Sequence, residues 1–267
     1  MAKLVEKFWN WGHLEGSHNQ WLGLDLKMTP EEFGEVYGIR NSFFVSSKGN
    51  IQPPFDALAN RTDCLKKVCW SILGDASTPL PEHPLGETEE ILRCAENHSN
   101  IVGGVIDDFH AAGRQERFTP PVLNQIRARL NENGKDFYAV LYDFQVNDPD
   151  TPRYYNCVDV ITYWIWEQEQ IDSLDTHIDN LFRVFPEKRK MLGMYLWGYA
   201  EEKPMRLDRF QKQLETYVKL LEAGKIEGII FCSGCVGDAP LLTNKLLKEF
   251  IEQNGSREIQ AKSEAEQ

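Results

Sequence analysis

Positive charge is scarce in this chain: 29 Lys and Arg stand against 41 Asp and Glu in 267 residues, a formal net charge of −12. A protein that tracks a nucleic-acid backbone needs a basic face to displace counterions, and one that adheres to an anionic membrane needs the same. Neither nucleic acid nor membrane is therefore an expected partner. Long apolar runs are also missing; none approaches the roughly 20 residues that a spanning helix requires. The opening MAKLVEKFWNWGH has no apolar stretch of about 7–15 residues such as a secretory signal carries. As supplied, the chain is expected to be cytoplasmic, or else the mature form of a secreted or periplasmic protein.

Cysteine is sparse as well. Cys64, Cys69, Cys94, Cys157, Cys232 and Cys235 are too few for a disulfide scaffold of this length, and most sit in apolar runs where a thiol behaves as a small hydrophobe. A reducing compartment follows. No GxGxxG or GxxxxGK[ST] loop is present; the nearest run, Gly12 to Gly16 (GHLEG), lacks the third glycine. That weakens a dinucleotide- or nucleotide-binding open sheet. No HxH or HExxH spacing occurs, and Cys232-Ser-Gly-Cys235 is a lone CxxC without the second pair a zinc site needs. No cofactor and no metal are expected.

Aromatic side chains, by contrast, are abundant: 7 Trp, 9 Tyr and 14 Phe make up 11% of the chain. They concentrate in eight short apolar runs: Lys7–Gly12, Ser42–Ser46, Lys67–Leu73, Ile101–Phe109, Phe137–Phe144, Val158–Trp166, Met191–Trp197 and Ile226–Cys232. Each is rich in β-branched or aromatic residues without strict polar alternation, as parallel strands covered on both faces are. Helical signals lie between them. Thr29-Pro30-Glu31-Glu32 combines an N-cap, a proline at the first helical position and acids in the first turn. Further helices are predicted over Glu87–Asn97, from Thr119-Pro120 to about Asn133, over Asp172–Phe185, Arg206–Ala223 and Leu241–Gln253, several ending at a glycine. The fifth connection, Gln145–Cys157, is polar and broken by prolines, so its helix is degenerate or absent. About a dozen residues still suffice for a parallel crossover. Eight β units alternating with helices over roughly 250 residues predict an α/β fold, a single (β/α)8 TIM barrel over residues 1–255. Residues 256–267 are expected to form a polar, disordered tail.

In such a barrel the chemistry gathers at the C-terminal ends of the strands. Those ends carry Trp11 and His13, Asp107, Asp108 and His110, Tyr142 and Asp143, Trp164, Trp166 and Glu167, then Tyr195 and Trp197. Six of the seven tryptophans fall on or beside predicted strands; Trp21 does not. Flat rings with an N–H at the edge suit a sugar, which has one apolar face and a rim of hydroxyls. Trp11, His13, His110, Tyr142, Trp164, Trp166, Tyr195 and Trp197 are accordingly the expected substrate-binding residues.

Acids that end apolar strands cost desolvation free energy unless they are paired or used. Asp107 and Asp108 after IVGGVI are the sharpest candidates, with Asp143 and Glu167 closing similar runs on strands five and six. Adjacent strand residues point to opposite faces, so one of Asp107 and Asp108 is expected to face the mouth; parity leaves the choice open, with Asp107 favoured. Carboxylates ending three successive strands can converge as a two-carboxylate hydrolase requires. Arg114 and Arg117 lie in the loop after strand four, positioned to clamp a carboxylated substrate or to pair with surface acids.

On the runs GVIDDFH (Gly104–His110), AVLYDF (Ala139–Phe144), ITYWIWE (Ile161–Glu167) and MYLWGY (Met194–Tyr199), the chain resembles the TIM-barrel glycoside hydrolases. In the α-galactosidase-like barrels the catalytic acids end strands four and six. That resemblance implies Asp107 or Asp108 as nucleophile and Glu167 as acid/base, although strand six carries Glu where those barrels carry Asp. A clan with glutamates on strands four and seven fits less well, because strand seven here ends in Trp-Gly-Tyr. The leading expectation is cleavage of a glycosidic bond in an oligosaccharide or glycoside by two carboxylates in an aromatic-lined mouth. The alternatives are a metal-dependent sugar isomerase, epimerase or lyase, using His13, Asp107 or Asp108, His110, Asp143 and Glu167 as ligands, and a carbohydrate-binding barrel without turnover.

Overall fold

The computed structural model describes residues 2–259. Eight parallel strands close into a barrel: β1 (Phe8–Gly12), β2 (Asn41–Phe44), β3 (Lys67–Leu73), β4 (Ile101–Ile106), β5 (Asp136–Tyr142), β6 (Val160–Trp164), β7 (Arg189–Tyr195) and β8 (Gly228–Cys232). They are arranged in sequence order, and β8 pairs with β1 to complete the ring. Each strand is followed by a helix: α1 (Pro30–Tyr37), α2 (Asp56–Arg61), α3 (Thr88–Ala95), α4 (Pro120–Glu132), α5 (Thr151–Tyr155), α6 (Leu174–Val184), α7 (Leu207–Glu222) and α8 (Leu242–Asn254). The expected (β/α)8 barrel is therefore the fold. Its fifth connection holds a single five-residue helix.

The start of α1 shows why its sequence could be read. Thr29 accepts the Glu32 N–H at 3.1 Å and Glu32 reaches back to the Thr29 N–H at 2.9 Å, a reciprocal cap that satisfies two orphan donors. Helix α2 has no side-chain cap at Phe55, and no start signal marks it in the sequence. The polar C-terminal segment begins in an ordered state, since Glu258–Ile259 pairs antiparallel with Ala2–Lys3; residues 260–267 lie outside the described residues. Among the described residues no helix is long and apolar enough to cross a membrane.

The barrel interior departs from the usual layers of Val, Ile and Leu. Trp9 and Trp11 of β1 pack on Phe43 of β2 with ring centroids 5.1 and 5.0 Å apart, Tyr138 of β5 meets Phe43 edge-on at 5.4 Å, and Trp164 of β6 meets Trp11 at 5.1 Å. Such rings fit only because neighbouring strands present glycine. A Cβ on Gly193 would lie 2.2 Å from the Trp164 indole, one on Gly103 2.8 Å from the Tyr138 ring, and one on Gly228 3.1 Å from Trp9. Gly193→Ala must displace Trp164 or bend β7. It is expected to lower stability by about 1–3 kcal/mol, the usual range for overpacking, as measured by urea unfolding. An unchanged midpoint would show that the indole has room to move.

Tryptophan is thus as much filler as binding surface. Trp9 packs low in the barrel against Phe43 and Gly228. Trp70 of β3 points away from the interior and stacks on Phe55, the residue before α2.

Candidate active site

A cavity of about 540 Å³ opens at the C-terminal ends of the strands. Among its lining residues are Trp11, His13, His18, Trp21, Asp75, Asp107, Asp108, His110, Tyr142, Phe144, Trp164, Trp166, Tyr195, Tyr199 and Cys232. That volume lies within the range of small-molecule sites.

Asp107 continues the inward face of β4, on which Gly103 approaches Tyr138 inside the barrel, whereas Gly104 meets Ile72 and Ile91 of the outer layer. Its backbone N–H still donates to the β3 carbonyl of Leu73 at 3.0 Å. The next residue breaks the alternation. Asp108 has φ +42°, a left-handed conformation that costs about 1 kcal/mol or more for a residue other than glycine and that Asp tolerates better than most. This turn brings the second carboxylate back over the mouth, so both aspartates line the cavity. Asp107 Oδ1 accepts the Asp108 N–H at 2.7 Å. The Asp108 oxygens accept from the Tyr142 hydroxyl at 2.6 Å and from the Ala76 N–H at 2.7 Å.

Burial pushes the Asp107 carboxyl well above the usual carboxylate range, and the neighbouring Asp108 and Asp75 reinforce it; the Asp108 N–H and the Arg114 charge oppose it. The site therefore contains one carboxyl whose burial favours its protonated form and a second whose two oxygens both accept hydrogen bonds.

Arg114 holds this arrangement from behind. Its buried guanidinium donates to the carbonyls of Gly74 (2.7 Å) and Asp107 (2.6 Å), to that of Asp75, and at longer range to those of Thr78 and Asp108. The expectation that Arg114 clamps a substrate or pairs with surface acids is corrected. It ties the β3 and β4 loops together through their backbones. Arg117 does the same at the rim, donating to Pro81 and Glu82 carbonyls.

Opposite the aspartates, His13 sets Nδ1 3.1 Å from the Val45 carbonyl. A carbonyl can only accept, so Nδ1 carries the proton and Nε2 is left as an acceptor. Burial lowers the His13 pKa, against the pull of Asp75 and Asp108. His18 packs on it with ring centroids 4.4 Å apart, and burial together with that neighbour drives His18 well below the ordinary value. The Tyr199 hydroxyl lies 2.7 Å from His18 Nδ1. His110 accepts the Gln115 amide N–H on Nδ1 at 3.0 Å and stacks on Tyr155.

Strand parity keeps two expected acids away from this centre. On β5, Val140 and Tyr142 line the cavity, so Asp143 points outward. There it accepts the Trp166 N–H at 3.1 Å and lies 3.7 Å from His177 of α6, and burial raises its pKa. After β6, Trp164 and Trp166 line the cavity, so Glu167 turns to solvent, where it is exposed. The three strand-end acids do not converge. Trp197 is also absent from the cavity wall: Trp197–Gly198 leaves the barrel to pair with Lys203–Pro204. Of the other expected residues, Trp11, His13, His110, Tyr142, Trp164, Trp166 and Tyr195 all reach the cavity.

His18, Trp21, Asp75, Phe144 and Tyr199 line the cavity although the sequence assigned them no role. They stand in loops or one step past a strand, where periodicity carries no signal. Cys232 borders the cavity with its thiol pushed well up by burial, and Cys235 is raised to about 12. Among the described residues no group of three or more His, Cys, Asp or Glu side chains is gathered closely enough to hold a metal ion.

No protein-family model matches the chain, and no curated protein matches it. Solved structures do superpose along its length. A GH113 beta-1,4-mannanase aligns over 94% of this chain and 99% of its own, with TM-score 0.52 and 13% identity. A class V chitininase from Pseudomonas fluorescens Pf-5 aligns over 93% and 99%, with TM-score 0.57 and 8% identity. The tryptophan synthase complex from Pyrococcus furiosus aligns over 94% and 98%, with TM-score 0.51 and 10% identity. The likeness to TIM-barrel glycoside hydrolases is one of fold, and the third structure marks that the same barrel serves other chemistry.

Proposed function

We propose that this chain hydrolyses a glycosidic bond at the mouth of the barrel, with Asp107 as the proton donor and Asp108 as the partner carboxylate. The observation that carries the reading is the adjacent pair itself. Asp107 is buried, which raises its carboxyl pKa, and Asp108 is turned toward the same cavity and held by Tyr142 and Ala76. Glycoside cleavage needs this asymmetry: an acid to protonate the leaving oxygen and a carboxylate to attack the anomeric carbon or activate water. The half-buried Trp166 indole supplies an apolar face for a sugar, and His13 Nε2 supplies an acceptor for a hydroxyl. The likeness in fold to a mannanase and a class V chitininase supports the choice of β-1,4-linked mannan and chitin chains as first substrates.

The metal-dependent reading is less well supported, because its expected ligands Asp143 and Glu167 lie outside the cavity.

The test is release of new reducing ends from a panel of glycans that includes those two. Wild-type protein is expected to cleave at least one of them. Asp108→Asn is expected to lose about 10²–10⁴-fold in kcat/KM, the span associated with positioned acid–base groups. Glu167→Gln is expected to stay within about threefold, as usual for an exposed substitution. An inactive Glu167→Gln beside an active Asp108→Asn would overturn the assignment.

A further inference from the structure

Among the described residues the exposed large apolar side chains are Trp21, Leu24, Val36, Leu80, Phe144 and Leu242, and the two aromatic ones, 39% and 65% exposed, both line the cavity. In a chain that buries most of its rings, two left in water at the edge of one cleft call for a ligand. Their placement is specific. Trp21 stands in the connection after β1, in the short helical turn Asn19–Leu22, and Phe144 in the turn after β5. In a closed ring of eight strands in sequence order, β1 and β5 are four positions apart in either direction. The two connections therefore leave the barrel on opposite sides, and Trp21 leans toward the β7 connection, where it meets Tyr199.

Each ring is also braced on the residues that hold the centre. Phe144 stacks parallel on Tyr142, centroids 5.6 Å apart and planes 5° apart, and Tyr142 donates to Asp108. Trp21 meets Tyr199 edge-on at 6.3 Å, and Tyr199 abuts His18. The aspartates that follow β4 line the same cavity as the two outer rings.

We infer that the ligand is an unbranched glycan chain laid across the mouth, with Trp21 and Phe144 stacking sugars at two separate edges of the cavity. A lone small glycoside would occupy only part of the cavity and could not cover both rings at once. A chain covers them and presents an internal bond to Asp107 and Asp108. The inference rests on the hydrolase reading for that last step alone; the stacking platform stands apart from it.

Binding by Asp107→Asn, which holds substrate without turnover, separates the two claims. The probes are β-1,4-linked manno- and chito-oligosaccharides, disaccharide against hexasaccharide, followed by titration calorimetry. The hexasaccharide is expected to bind more tightly. Adding Trp21→Ala or Phe144→Ala is expected to cut the hexasaccharide-to-disaccharide affinity ratio by roughly threefold to tenfold each, the value of one aromatic contact. Phe144→Tyr should preserve the ratio, as should Val36→Ala, which removes an exposed apolar side chain of α1 away from the cavity. With wild-type protein, the viscosity of a cleaved polymer should fall faster than reducing ends appear. Equal binding of short and long chains, a ratio unmoved by both alanines, or no binding of either series overturns the inference. Length-dependent binding that Trp21→Ala weakens, with no bond cleaved by wild type, upholds it and removes the hydrolase reading instead.

Discussion

Asp107→Asn is expected to abolish hydrolysis, by about 10²–10⁴-fold in kcat/KM, and at the same time to make the protein more stable at neutral pH. The two effects share one cause. Burial, with Asp108 and Asp75 close by, raises the folded-state pKa of Asp107 well above its ordinary value. In the unfolded chain the same group titrates near about 3.9. Between those two pH values the folded protein holds a proton that the unfolded chain has released, so stability falls as pH rises through the window. Its contribution is complete below the unfolded pKa and lost above the folded one. Each unit of difference between the two corresponds to about 1.4 kcal/mol. Asparagine does not titrate and keeps an oxygen to accept the Asp108 N–H. The stability gap between variant and wild type should therefore open as pH rises from about 4, and level off once folded Asp107 has ionised. Urea unfolding across a pH series reads it directly, and parallel curves would show that Asp107 ionises as freely in the barrel as in water. Activity should fall on the alkaline side only where that gap levels off, at the folded-state pKa at which the donor loses its proton.

Arg114→Ala carries the largest expected loss of stability, about 3–5 kcal/mol. The guanidinium satisfies the carbonyls of Gly74, Asp75 and Asp107, and each buried acceptor stripped of its donor costs about 1–3 kcal/mol unless water replaces it. For a barrel of this size that corresponds to a fall in Tm of about 2–4 °C per kcal/mol. Arg114→Lys should fall between the two, since an ammonium is a point charge that cannot span carbonyls on two loops as a planar fork does. Thermal unfolding of both variants checks the order. A loss under about 1 kcal/mol for Arg114→Ala would mean that the two loops hold Asp75, Asp107 and Asp108 in place unaided. Because Arg114 also opposes the rise in the Asp107 pKa, the alkaline limb of Arg114→Ala should move to higher pH.

The legible part of the site followed from position along the strands. Asp107 and Asp108 could be singled out because two acids after six apolar residues must be explained by something other than packing. The turn at Asp108 could not be foreseen. A positive φ at a residue other than glycine leaves no mark on its neighbours, and it is this turn that gives one strand two mouth-facing carboxylates. Asp143 and Glu167 lie outside the cavity for a related reason. Their strands are apolar on both faces, so the sequence shows no alternation from which to tell inside from outside, and a shift of one residue exchanges the two. Tyr142 and Trp166 took the inner positions, and the acids that follow them were turned away.

Local chemistry and periodicity determined the rest without reference to the closed barrel. They set eight strands, the capped start of α1, a degenerate fifth connection, and a β4 strand ending in two acids, because caps, turns and apolar runs act over a few residues and are written there. Tertiary closure alone decided which face of each strand looks inward, that glycines at 103, 193 and 228 make room for three large rings, and that Trp21 and Phe144 line one cavity. Those relations join residues far apart in the chain, and they come into being only when β8 meets β1 and the ring closes.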